Sequence, residues 1–287
     1  MTYGTVPVSG ARICYQVRGH GPALLVLQGG GGTAEASDGM ALVLESEYRL
    51  VSYDRRGLLR SPLDDAKQAL TVEQHARDVL DLLDALGIEQ AAVFGSSLGA
   101  LIGLELLARA PARLTCLVAH EPPAVALLSE EGRAHVASLR REVLAVALRE
   151  GPRAALRRAL VDMGVDREDR EDGCEPPISS REQSRQTGFL LGREVRAIDG
   201  YRLDVEALLR HAERIVPAFG ASSRAHYPAQ CALALGVLLR RDAEEFPGSH
   251  NGYVLRPQAF AERLRSVLRA AAESRARDAA LRPLVMS

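Results

Sequence analysis

Apolar and polar positions alternate in short runs through the first third of the chain and then change to a helical period. Residues 2–8 and 11–17 carry the alternation of half-buried strands, and Ala23-Leu24-Leu25-Val26-Leu27 is a continuous apolar run suited to a strand buried on both faces. Gly29-Gly30-Gly31-Gly32 ends it. A helical pattern over 34–47 precedes a strand over 48–53 and a turn at Asp54-Arg55-Arg56-Gly57. Thr71, three residues before Gln74, predicts an N-cap for a helix whose Val72, Ala76, Val79, Leu80, Leu83 and Leu86 share one face. An apolar run at 91–94, a Leu- and Ala-rich helix over 97–110 closed by Pro111, and a strand at 114–119 continue the series. Such alternation of strands with helices implies a mostly parallel sheet covered by helices on both faces.

From 124 to 209 the pattern is helical, rich in Arg, Ala, Leu and Glu, and broken by a charged, turn-like stretch at 166–180. Strand signals return at 214–219 and more weakly at 242–246, with a helix between them and a last helix over 257–271. The Arg- and Ala-rich tail after 272 reads as a frayed or surface helix. The expected organisation is a core over 1–123, a helical cap over 124–209 inserted after the sixth strand, and the rest of the core with the C-terminal helix over 210–287.

A chain of 287 residues with 47% hydrophobic residues can bury a core without help from disulfides or metals. Lys plus Arg number 36 against 37 Asp plus Glu, so the formal charge is −1 and no global field draws nucleic acid or an anionic membrane. A small neutral substrate suits that balance. Cys14, Cys116, Cys174 and Cys231 lack the CxxC spacing of a zinc or thioredoxin-like site and read as reduced, mostly buried thiols. Nothing suggests a metal, nucleotide or flavin, so no cofactor is expected. Residues 1–10 lack the basic start and apolar run of a signal peptide, and no stretch reaches the roughly 20 apolar residues of a membrane span, which makes the cytoplasm the expected compartment. A homodimer is compatible with the pattern.

Gly95-Ser96-Ser97-Leu98-Gly99 fits G-x-S-x-G between an apolar strand and a helix, the setting in which a sharp turn lifts a serine hydroxyl above the edge of a sheet. A glycine-rich turn with a capping serine is the alternative, but the context favours Ser97 as a nucleophile over Ser96. Backbone N–H groups can receive an oxyanion with little reorganisation. Leu98 supplies one expected donor, and Gly29 or Gly30, in the loop after the third strand, the other. His250 lies in Phe246-Pro247-Gly248-Ser249-His250-Asn251-Gly252, a shaped loop before the C-terminal helix, and completes the chain order serine, acid, histidine. His20, His75, His135, His211 and His226 read as solvated or capping residues, and His120 as structural. The acid is less direct. After the seventh strand the chain reads Phe219-Gly220-Ala221-Ser222-Ser223-Arg224, with no carboxylate, so the candidate becomes Glu121 after the sixth strand, with Asp199, Asp204 and Asp242 as fallbacks. A cap-hinge carboxylate is the structural alternative for Glu121. Leu127, Leu128, Met163, Phe189 and Leu190 are candidate substrate-pocket walls that could equally be cap core. Arg140, Arg141, Arg157 and Arg158 read as a solvated face.

These residues resemble the α/β-hydrolase superfamily: the Gly95–Gly99 pentapeptide, the turn from Tyr53 to Gly57, and the segment from Phe246 to Tyr253. The likeness spans nearly the whole chain and implies an eight-stranded, mostly parallel sheet and a Ser97, Glu121 and His250 triad. Val118-Ala119-His120-Glu121-Pro122-Pro123, with Gly220-Ala221-Ser222, is similar to the branch containing the zearalenone lactonases, which carries its acid as a glutamate after the sixth strand. That resemblance implies a lactone or ester as substrate. Many relatives have histidine where this chain has Gln28, so the bonding of the oxyanion loop is expected to differ. Carbon–carbon bond hydrolysis by the same three residues is the nearest rival. A binding protein, or a biosynthetic enzyme that cyclises its substrate on the same fold, is a reading of another class.

Overall fold

Strand β3 (Ala23–Leu27) shows why the sheet needs two helical layers: Leu24 and Val26 face one apolar cluster, Leu25 and Leu27 the opposite one, and all four are buried. The other strands are β1 (Thr2–Val8), β2 (Ala11–Arg18), β4 (Arg49–Tyr53), β5 (Ala91–Ser96), β6 (Leu114–His120), β7 (Ile215–Gly220) and β8 (Glu244–Phe246). This computed structural model describes residues 1–174 and 189–285. The eight strands form one sheet in the order β1-β2-β4-β3-β5-β6-β7-β8, in which β2 is antiparallel to both neighbours and all later pairings are parallel. This is the α/β-hydrolase architecture, with a helical insertion between β6 and β7.

Around the sheet lie α1 (Asp38–Leu44), α2 (Val72–Ala85) and α3 (Leu98–Arg109). The insertion contributes α4 (Glu130–Glu150), α5 (Pro152–Asp162), a π-helical turn (Leu190–Glu194), α6 (Val195–Gly200) and α7 (Val205–Arg210). Then follow α8 (Tyr227–Leu239), α9 (Gly252–Leu255) and α10 (Pro257–Val285). Val72, Val79 and Leu83 of α2 pack with Leu101 and Leu104 of α3 against Leu25 and Leu27, while Met40 and Leu44 of α1 join Phe260 and Leu264 of α10 against Leu24 and Val26. Thr71 caps α2, its hydroxyl accepting the Gln74 N–H at 3.1 Å.

Two elements differ from the pattern. The helix expected over 34–47 opens as a 3-10 turn, Ala34–Ser37, because buried polar groups seize its first residue: the Ala34 N–H donates to Asp54, and its carbonyl accepts from Gln16 and Ser52. The last helix does not stop near 271 but runs unbroken to Val285, taking in the tail that reads as a frayed or surface helix. Part of the charged stretch, 175–180, lies outside the described residues.

Candidate active site

Parallel pairing levels the carboxyl ends of the strands. Leu27 lies opposite Gly95, Ser96 opposite His120, and His120 opposite Ala218. Gly29, Ser97, Glu121 and the turn at 220–223 each follow one of those paired positions closely, so they gather at one rim of the sheet.

Ser97 has φ 53° and ψ −119°, a conformation costly for a side chain with a Cβ. Its N–H donates to His120 O and its carbonyl accepts from Ala100 N–H, each at 2.9 Å, so β6 and α3 hold the turn from both sides. A Cβ at Gly95 would lie 2.6 Å from the Gly99 carbonyl oxygen, and one at Gly99 only 2.0 Å from the Leu27 oxygen. Both positions therefore need glycine. Ser97 is only 9% exposed. Leu98 opens α3, where an N–H has no intrahelical acceptor.

Glu121, also at positive φ (49°), is completely buried. Its Oε2 lies 2.5 Å from His250 Nδ1. Its Oε1 accepts from the Gly220 N–H at 2.8 Å and from the Ser223 hydroxyl. The turn after β7, which has no carboxylate of its own, thus supplies donors to the one after β6. Burial pushes the Glu121 carboxyl up, but the hydrogen bond and charge of His250, with the Ser223 hydroxyl, outweigh it and hold the group below the ordinary carboxylate range. With Nδ1 engaged, His250 has Nε2 left for proton transfer. Asp204 instead caps α7 through the Ala207 N–H at 2.9 Å, and Asp199 pairs with Arg140 at 2.5 Å.

The histidine readings need one correction. His75 is neither solvated nor a cap: it is fully buried beside α2's core face, and burial, reinforced by Arg55 and Arg56, lowers its pKa. His120 is enclosed by Phe94, Phe246 and Phe260, with ring centroids 5.3–6.3 Å away. Burial lowers its pKa to about 4, so it is a neutral packing residue at pH 7.

Three further side chains shape this region, none of them assigned a role from the sequence. Tyr253 Oη accepts the Gly29 N–H at 3.4 Å, and a Cβ at Gly29 would lie 3.6 Å from both that oxygen and Ser97 Cβ. Burial raises the Tyr253 pKa, which keeps the phenol protonated. Arg55 and Glu194 form a buried pair in which Nε and Nη2 of the arginine donate to Glu194 Oε1 at 2.9 and 2.7 Å. Their sequence separation of 139 residues hides the pairing. The local signal was a turn at Asp54-Arg55-Arg56-Gly57, and both of its arginines are at most 1% exposed.

Of the proposed pocket walls, Phe189 packs on Gly57, and the Arg193 guanidinium lies 5.3 Å from its ring centroid. Leu127 and Leu128 line a groove of about 540 Å³ with residues of α4, α5 and α8, and that groove includes none of Ser97, Glu121 and His250. Met163 ends α5, next to Gly164, where an added Cβ would meet Ser223 Cβ at 3.0 Å. The side chain of Leu190 lies outside the described residues. Arg158 pairs with Asp162 and Glu142 at the surface. No cluster of three or more His, Cys, Asp or Glu among the described residues could hold a metal ion, and no helix among them is long and apolar enough to cross a membrane.

The family described as alpha/beta hydrolase fold matches residues 22–145. A Bacillus subtilis (strain 168) protein called uncharacterized hydrolase YraK is 35% identical over 270 residues, covering 92% of this chain and 95% of its own length. Among solved structures, a thermophilic esterase from Thermogutta terrifontis superposes with a TM-score of 0.69 at 17% identity, over 94% of this chain and 99% of its own. A hydrolase from Pseudomonas aeruginosa PA01 does so with a TM-score of 0.64 at 21% identity, over 93% and 98%. At such identities these two speak for the fold alone.

Proposed function

The chain belongs to the α/β-hydrolase fold family, and we propose that it hydrolyses a carboxylic ester or lactone through an acyl-enzyme on Ser97. The observation that carries the reading is the conjunction of a strained Ser97 at the strand-to-helix turn with a buried Glu121–His250 pair on the same rim. In this mechanism His250 Nε2 takes the Ser97 proton as Oγ attacks the carbonyl, and Glu121 fixes the imidazole tautomer and stabilises the imidazolium. The Leu98 N–H and that of Gly29 or Gly30 receive the oxyanion; each such donor contributes roughly a hundredfold or more in rate. His250 then returns the proton to the leaving alkoxide, and water activated by the same imidazole releases the acid. The likeness of residues 118–123 to the zearalenone lactonases makes macrolactones the first substrates to assay.

The test is a panel of esters and lactones with product analysis, alongside labelling by an active-site fluorophosphonate. Ser97→Ala should fold normally, take no label and lose turnover; full activity in that variant would end the proposal. Products of carbon–carbon cleavage would replace the ester reading with its rival.

A further inference from the structure

We infer that the Arg55–Glu194 pair is a positioning device that aims the oxyanion loop, an assignment that rests on the serine-hydrolase reading. Arg55 does more than pair with Glu194: Nη1 donates to the Gln28 carbonyl at 2.7 Å and Nη2 to the Gly29 carbonyl at 2.8 Å. Glu194 Oε2 in turn accepts the Gly31 N–H at 2.7 Å. Four consecutive residues of the loop are thus spanned by three bonds from one ion pair, and both partners are at most 1% exposed.

The direction of those bonds matters more than their number. No peptide in the described chain is cis, and in a trans peptide the C=O and the following N–H point opposite ways. By drawing the carbonyls of Gln28 and Gly29 toward itself, Arg55 turns the N–H groups of Gly29 and Gly30 to the far side. The Gly29 N–H indeed faces Tyr253 Oη, beside Ser97. Those are the two candidate second donors of the oxyanion hole. A loop of four glycines, with one internal bond from the Gly32 N–H to the Gly29 carbonyl at 3.0 Å, has little stiffness of its own, so its donor geometry is imposed by a planar guanidinium that can hold two carbonyls and a carboxylate at once.

Glu194 closes the π-helical turn Leu190–Glu194 of the insertion, whereas Arg55 follows β4. The insertion therefore reaches the catalytic rim through a buried charge, and this root of it cannot lift away without leaving Arg55 unpaired. Glu194 and Arg55 touch no reacting atom in this scheme; they act through the loop.

The experiment compares Arg55→Lys, Glu194→Gln and the double variant Arg55→Met/Glu194→Leu with the parent. The double variant leaves no lone buried charge, which guards against simple unfolding. Lysine keeps the charge without the fork, so Arg55→Lys should not rescue. Two readouts are taken: kcat and KM on p-nitrophenyl butyrate, and amide hydrogen exchange in peptides covering 23–27 and 28–32. The expected result is a fall in kcat of about tenfold to a hundredfold with KM within about twofold, and exchange at 28–32 accelerated about tenfold while 23–27 stays protected. Unchanged exchange at 28–32, or accelerated exchange with unchanged kcat, overturns the inference. A parent protein that neither turns over ester nor takes the fluorophosphonate sinks the hydrolase reading instead, and accelerated exchange in the variants would still support the clamp.

Discussion

At Glu121 the backbone and the side chain are both under constraint: a positive φ aims the carboxylate, and three donors then consume it. A carboxylate is costly to bury without such partners. Replacing it with glutamine keeps the size but puts an amide where His250 Nδ1 needs an acceptor. Glu121→Gln should lower kcat by about a thousandfold or more with modest change in KM, and steady-state kinetics on the best substrate of the panel checks this. Unchanged turnover would move the acid elsewhere and leave Glu121 as a hinge between β6 and the insertion.

At the scale of elements, the elbow is a contact between the end of β3 and the start of α3 that leaves no room for a methyl group. A Cβ at Gly99 meets the carbonyls of both Leu27 and Gln28, the residues that lead into the oxyanion loop. Gly99→Ala should therefore destabilise the fold by about 3 kcal/mol or more and slow fluorophosphonate labelling of the fraction still folded. Urea denaturation followed by circular dichroism measures the first effect, and mass spectrometry of labelled protein the second. Wild-type stability in that variant would mean that α3 can slide on β3, and the tight elbow would be wrong.

For the molecule as a whole, two buried neutral histidines tie stability to pH. His120 has its pKa lowered from 6.5 to about 4, and His75 moves the same way, so between those values the unfolded chain binds more protons than the folded one. Stability is then complete above about pH 6.5 and declines as pH falls toward 4, by about 3 kcal/mol for His120. The lowered Glu121 carboxyl adds a further loss below about 4.5. Urea midpoints at pH 7 and pH 4.5 should differ, and His120→Phe, set among Phe94, Phe246 and Phe260, should reduce the difference. An identical pH dependence in that variant would rule out His120 as its source.

Local pattern sufficed for elements whose signals are local. The buried run of β3, the Thr71 cap and the G-x-S-x-G turn each depend on neighbours within a few residues, where periodicity and backbone sterics act directly. The order of strands and helices was legible for the same reason, and with it the helical insertion before β7. Glu121 could be named a candidate because the turn after β7 offered no carboxylate. Its bonds to Gly220 and Ser223 arise only when β6 and β7 lie side by side. Arg55, Glu194, Tyr253 and the burial of His75 were not legible, because each is defined by a partner brought close by folding. An arginine in a turn looks solvated until a carboxylate more than a hundred residues away neutralises it in the interior. Short-range stereochemistry thus dictated the elements, while long-range packing chose which polar groups could be buried and in which direction the oxyanion loop points.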